Sequence, residues 1–380
     1  RAAAVPAEHR GRSRAMSTIV LMAGGTGGHL FPAMALAQEL RRRGHAIHLM
    51  TDHRVATYGD NFPAQQTHIV PSATPSVRNP LKFAGAAFKI LGGIIVARQK
   101  LGGIRPDVVV GFGGYPVFPP FLAARMMGVP GVLHEQNAVM GRANRALAQY
   151  ASRIALSFAR TQYTERYAGK STLTGNPVRD KVRAVAGTPY PSLADTDPIH
   201  LVVTGGSQGA RVFADLVPAA ILALPEPLRH RLRIVQQCRP EDLDRVTEAY
   251  RQSKVNVELQ PFFTDLPERM ANAHLVIARS GASTIAELTV LGRPAILVPL
   301  PGALDADQKN NAMLMQAANA GWIVEQATLS PPSLANRLAS LFGDPATLQA
   351  AAAAARSLGQ PRAVEILADL AEAAGRGKTT

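Results

Sequence analysis

The 380-residue sequence predicts an α/β protein made of two Rossmann-like, doubly wound domains facing one cleft. Three observations lead there. The length calls for two domains at roughly 100–200 residues each. The short apolar runs are continuous rather than alternating, so the strands are buried on both faces, as in parallel sheets covered by crossover helices. A glycine-rich junction between strand and helix occurs twice, as GGTGGH at 24–29 and GGSQGA at 205–210.

In the first series, Thr18–Met22 is an apolar strand running into GGTGGH, and a helix is expected from about Pro32 to Arg43, closed by Gly44. Similar strands follow at Ala46–Thr51, Asp107–Gly111 (before GFGGYPVFPP), Val129–His134 (before EQN) and Arg153–Leu156. The second series starts at Ile199–Thr204 and continues through Leu232–Gln236, Val255–Leu259, Leu275–Ala278 and Ala295–Val298. Ala186–Pro198 has linker composition, and a crossover at Thr174–Arg179 is equally compatible. The alanine-rich tail from about Ala346 to Gly375 reads as helix. Two such domains place the C-terminal ends of their strands, and so their ligand loops, on either side of the cleft.

Composition narrows the function classes. With 47% hydrophobic and 18% charged residues, the chain reads as folded rather than disordered. Lys plus Arg 41 against Asp plus Glu 27 gives +14, which favours anionic partners such as phosphates, nucleic acid or acidic lipid. Cys238 is the only cysteine, so neither an intramolecular disulfide nor a thiolate zinc site is available. The longest apolar run, Ile90–Ala97, falls well short of the ~18 residues needed to cross a bilayer. Residues 1–15 carry four arginines and no apolar core; they are expected to be a disordered extension, with a transit peptide as the other reading.

In GGTGGH, bare backbone N–H groups and a helix dipole can hold a phosphate or diphosphate. The rival dinucleotide fingerprint needs glycine at position 30, which is Leu30, and this disfavours an NAD-dependent oxidoreductase even with Asp52 placed to mimic a ribose-binding acid. His29 ends the loop beside the helix start and is the candidate general base for a hydroxyl. GGSQGA repeats the design, with Ser207 as an oxyanion donor or an N-cap. In ARSGASTIAEL (278–288), Glu287 either closes a capping box with Thr284 or accepts hydrogen bonds from a ribose diol, and spacing alone leaves the two even. In PLPGALDADQKNNA (299–312), the amides of Gln308 and Asn311 suit sugar hydroxyls. The triplets Asp195-Thr-Asp197, Asp242-Leu-Asp244 and Asp305-Ala-Asp307 have the D-x-D form of metal-dependent sugar transferases, but such triplets are common on acidic loops. Tyr167-Ala-Gly-Lys-Ser171 fails as a P-loop because position 164 is threonine.

From about Ser17 to the C-terminal helix, the sequence resembles the MurG family of bacterial transferases. The resemblance rests on GGTGGH, GFGGYP (111–116), HEQN (134–137), GNPVR (175–179), GGSQGA, RSGAST with Glu287, and D-x-x-Q-x-x-N-A (305–312), in order. It implies the two-domain B-type glycosyltransferase fold and an inverting, metal-independent transfer of N-acetylglucosamine from UDP-N-acetylglucosamine to lipid I, giving lipid II for peptidoglycan. No cofactor and no nucleic-acid partner are implied, and other cell-wall synthesis proteins stay open as partners. The acceptor domain would be 16–177 plus 361–380, and the donor domain 178–360. Thr26, Gly27 and Gly28 would face the diphosphates, with His29 as base. Asn137 and Gln308 would contact the sugar, Arg179 and Ser207 the donor diphosphate, and Phe263 the uracil. Ala282, Ser283 and Thr284 would line the donor site, and Glu287 would hold the ribose, which breaks the tie above. Asp307 stands where the family often has histidine or glutamine.

Residues 78–100 interleave Leu81, Phe83, Phe88, Ile90, Leu91, Ile94 and Ile95 with Arg78, Lys82, Lys89, Arg98 and Lys100. One reading is an ordinary core-facing helix with its cations in water. The other is an interfacial segment on an anionic membrane surface. The resemblance, to enzymes peripheral to the cytoplasmic face of the plasma membrane, favours the second. A related B-type enzyme with another lipid acceptor and a UDP-sugar epimerase remain the nearer rivals, and HEQN and GGYP argue against both.

Overall fold

The computed structural model describes residues 16–24, 27–54, 62–73, 80–206, 209–303 and 305–377, apart from the side chains of 80–83 and 252. The segment 1–15, Thr26 and Ser207 therefore lie outside the described residues.

Two parallel sheets form the frame. The first contains β1 (Thr18–Met22), β2 (Ala46–Thr51), β3 (Gln66–Ile69), β4 (Val108–Gly111), β5 (Gly131–Glu135), β6 (Arg153–Leu156) and β7 (Ser171–Leu173), in the order β3-β2-β1-β4-β5-β6-β7. The second contains β8 (Ile199–Thr204), β9 (Leu232–Gln237), β10 (Asn256–Gln260), β11 (Leu275–Ala278), β12 (Ala295–Leu297) and β13 (Gly321–Ile323), in the order β10-β9-β8-β11-β12-β13. All pairings are parallel.

The continuous apolar strands are explained by burial on both sides. In β1, Ile19 and Leu21 enter one core with the helices Gly27–Arg42 and Ala363–Arg376, while Val20 and Met22 enter the opposite one. The second sheet repeats this, with Leu201 and Val203 in one core and Val202 in the other.

Two expectations need correcting, and an open alternative is decided. The first helix starts at Gly27, not Pro32, so Gly27, Gly28 and His29 form its opening turn. Pro32 is accommodated because near a helix start it removes a single backbone bond, to the carbonyl of a glycine. The alanine-rich tail is two helices, Pro345–Leu358 and Ala363–Arg376, broken at Gly359-Gln360-Pro361. Leu348 and Ala355 of the first pack into the second domain's cores, while Leu367, Ala368 and Ala371 of the second return to the first sheet. Of the two crossovers left open above, the one at Thr174–Arg179 fits, because Val178 and Val182 already pack with β8 and β11 residues.

Candidate active site

Each sheet reverses its strand order at one pair of neighbours, β1/β4 in the first and β8/β11 in the second. Loops at such switch points open outside the strand ends and form the usual ligand crevice. GGTGGH follows β1 and GFGGYP follows β4; GGSQGA follows β8 and RSGAST follows β11. All four motifs are therefore placed at the two switch points by topology.

A cavity of about 1130 Å³ lies between the two halves. Three helix N-termini open into it: Gly27–Arg42 through Gly27 and Gly28, Arg211–Leu222 through Gly209 to Arg211, and Ala282–Leu291 through Gly281 to Thr284. Each presents unsatisfied N–H groups and a positive dipole end, which together favour an anion. Arg179, Lys181, Arg211, Arg239 and Arg279 also line the cavity, against Asp180 and Glu287. Such a surface suits a diphosphate.

Of the residues expected at the site, Gly27, Gly28, Arg179, Phe263, Ala282, Ser283, Thr284, Glu287 and Gln308 line this cavity. Arg179 Nη2 donates to Glu287 Oε1 at 3.0 Å and the guanidinium stacks over Phe31 at 4.3 Å, so the residues expected at the diphosphate and the ribose are each other's partners. The capping-box alternative for Glu287 fails, because the helix begins at Ala282 with Gly281 as N-cap and Thr284 lies inside it. The helix after GGSQGA has Ala210 as its N-cap. Ser283 Oγ is buried with no hydrogen-bond partner among the described residues. Gln308 Oε1 accepts from the Leu300 N–H at 3.0 Å, a bond that leaves its NH₂ group uncommitted. Phe263 is buried under Arg269 at 4.7 Å, while its neighbour Phe262 is exposed; both reach the cavity.

His29 and Asn137 stand outside that lining, on the first-domain side. The half-buried His29 ring packs on the β4 loop: a Cβ on Gly113 would sit 3.4 Å from its Cε1, and one on Gly114 3.4 Å from its Cδ2. Both glycines have positive φ, at 84° and 79°, so the loop is shaped for glycine twice over. Asn137 is held from two directions. Its N–H and Nδ2 donate to Glu135 Oε1 at 3.0 and 3.4 Å, and its Oδ1 accepts from Asn311 Nδ2 at 3.0 Å. Glu135 also accepts from the Gly141 N–H and Asn144 Nδ2, and burial raises its carboxyl above the usual range.

Asn311 does not face a sugar. It is fully buried and bridges the halves, accepting from the Ala138 N–H at 2.9 Å while also donating to the Ser280 carbonyl at 3.2 Å. Asp305, weighed above as a metal ligand, is engaged by Arg145 at 2.8 Å and Arg142 at 3.3 Å across the same interface. Asp242 pairs with Arg245, and Lys170 of the false P-loop donates to the carbonyls of Gln149 and Ala151. Sequence reasoning missed Arg279, which reaches the cavity while donating to the Val298 and Pro299 carbonyls and to Gln326.

Two facing parallel-sheet domains, with an anion-suited cavity at helix N-termini, are the architecture of the B-type glycosyltransferase fold. Residues 19–156 match the model of the glycosyltransferase family 28 N-terminal domain and residues 200–369 that of its C-terminal domain, and the chain belongs to this family. The chain is 54% identical over 359 residues to a Methylobacterium sp. protein named UDP-N-acetylglucosamine--N-acetylmuramyl-(pentapeptide) pyrophosphoryl-undecaprenol N-acetylglucosamine transferase, covering 94% of this chain and 96% of the relative. It is 51% identical over 360 residues to an Allorhizobium ampelinum protein of the same name, covering 95% and 96%. Among solved structures it is similar to Acinetobacter baumannii MurG, with a TM-score of 0.75 and 29% identity over 94% of this chain and 99% of that one.

Proposed function

We propose that this chain transfers N-acetylglucosamine from UDP-N-acetylglucosamine to the muramyl sugar of lipid I, forming lipid II for peptidoglycan with inversion at the anomeric carbon. The observation that carries the reading is the convergence of three helix N-termini and Arg179 on one cavity, with His29 held on the facing loops. The names of relatives covering nearly the whole chain supply the sugar and the acceptor.

In this reading Glu287 accepts from the ribose diol, the side of Phe262 and Phe263 takes the uracil, and Gln308 and Asn137 fix the N-acetylglucosamine ring. His29 takes the proton of the acceptor hydroxyl as its oxygen forms the new bond to the anomeric carbon. The bond from that carbon to the diphosphate oxygen breaks with its electron pair, and UDP leaves. The growing charge is met by backbone N–H groups of the helix starts at Gly27 and Ala282 and by Arg179, groups already oriented before the reaction. No bound cation takes part in this reading.

The acceptor's lipid tail directs the reading toward a membrane surface. On the helix Pro80–Ile104, Phe88, Leu91 and Ile95 are 77%, 55% and 61% exposed, while Ala86, Ala97 and Leu101 face the core. The inner side matches the core-facing expectation, and the exposed side is what the interfacial reading requires. The outer stripe has the i, i+3, i+7 spacing of an interfacial face, and Lys89 and Arg98 are exposed beside it. Among the described residues no helix is long and apolar enough to cross a membrane.

The test is transfer to a short-chain lipid I analogue from a panel of UDP- and TDP-sugars, in excess EDTA. The expected product is a β-linked disaccharide formed preferentially from UDP-N-acetylglucosamine. Equal use of the other donors overturns the donor assignment, and abolition by EDTA with rescue by magnesium overturns metal-independent catalysis.

A further inference from the structure

Between β5 and the active site runs a chain of hydrogen bonds whose directions are fixed from its buried end. The Gly175 carbonyl can only accept, and His134 Nε2 lies 3.1 Å from it, so that nitrogen carries the proton. His134 is fully buried, and burial lowers its imidazole to about 4, so the ring is neutral and its Nδ1 is an acceptor. Gln136 Nε2 lies 2.9 Å from that Nδ1 and 2.9 Å from the His134 carbonyl, two acceptors that both require the NH₂ end of the amide. The amide therefore points Oε1 the other way, 3.1 Å from His29 Nδ1. An amide oxygen only accepts, so His29 carries a proton on Nδ1, and in the neutral ring the lone pair is on Nε2.

We propose that Gln136, read through His134 and the Gly175 carbonyl, is a positioning residue that fixes His29 as the Nδ1–H tautomer with Nε2 free to take a proton. The inference rests on His29 being the base. Gln136 is itself buried, so its amide is shielded from exchange with water. Its acceptor serves both states of the cycle, since Nδ1–H persists when Nε2 is protonated. Gly24, Gly113 and Gly114 of the β1 and β4 loops leave room only for the ring beside them, and among the described residues Gln136 is the hydrogen-bond partner that decides which nitrogen carries the proton.

The experiment is long-range ¹⁵N–¹H NMR of enzyme labelled at histidine, with His29 assigned by the signal lost in His29→Ala, alongside steady-state kinetics of Gln136→Met. The wild type should show His29 as Nδ1–H. Gln136→Met should shift it toward Nε2–H or a mixture and lower kcat about tenfold or more, with the KM for UDP-N-acetylglucosamine within about twofold, as for a lost orienting partner of a catalytic histidine. An Nε2–H His29 in the wild type overturns the proposal without recourse to any variant. So does a variant that keeps Nδ1–H, or one that loses it with kcat unchanged. Wild-type turnover in His29→Ala would defeat the base assignment instead, which separates failure of that reading from failure of the tautomer relay.

Discussion

Asn311→Ala probes how the two halves share one site. The side chain makes two bonds across the interface, to the Ala138 N–H and Asn137 Oδ1, and one within its own domain, to the Ser280 carbonyl. Each cross-domain bond is worth about 1 kcal/mol net, so their loss removes about 2 kcal/mol from the docked arrangement, a factor of roughly 30. Most of that falls on docking rather than folding, because in separated halves the same groups meet water. Asn137 also loses one of the two partners that hold it. The assay is kcat/KM for UDP-N-acetylglucosamine together with a thermal melt. The expected result is a fall in kcat/KM of about 10- to 30-fold with only a small change in Tm. A kcat/KM within twofold of wild type would refute the bridging role, and a large Tm loss with normal kcat/KM would make Asn311 an ordinary core amide.

Glu287→Ala should weaken UDP binding about tenfold or more with turnover at saturating donor largely kept, because it removes a contact made before the transition state; unchanged affinity in a binding titration would remove Glu287 from the ribose site. His134 gives a pH signature. Its folded value near 4 lies below the unfolded 6.5, so as pH falls between these values the unfolded chain gains a proton that the folded chain refuses, and stability drops by up to about 3 kcal/mol. Urea melts of wild type and His134→Gln should therefore converge from pH 7 to pH 4, and a constant difference would show that His134 is not held neutral. Lys89→Glu with Arg98→Glu should lower binding to anionic vesicles in a salt-sensitive way while sparing activity on a short-chain acceptor. Equal binding to neutral and anionic vesicles would return the helix to a purely structural role.

Much of the fold was legible because its strands announce themselves. β1, β4 and β11 are apolar at nearly every position, as strands between two cores must be. β3 was not legible: QTHI is polar, lies at a sheet edge and buries only His68. β7 and β13 are three residues each, too short for any periodicity. The early start of the first helix was hidden by its glycines, whose low helix propensity is outweighed by the packing that follows at Leu30 and Ala33. At the site, the glycine loops could be found from local motifs, whereas spacing left Glu287 even between a cap and a ligand. The roles of Asn311 and Gln136 could not, since each depends on a partner brought close only by tertiary structure, 173 residues away for Asn311 and Ala138 and 107 for Gln136 and His29. Asp305 shows the converse: a D-x-D triplet on paper is an ion-pair partner of two arginines in space.

In the proposed reaction a base on the first domain activates the acceptor while the second domain holds the donor. This arrangement is tested most directly by measuring turnover and UDP affinity together in His29→Ala. The division of labour predicts a loss in kcat of about 10²-fold or more with UDP affinity nearly unchanged. A loss of UDP affinity in proportion to activity would contradict it and make His29 part of the nucleotide pocket.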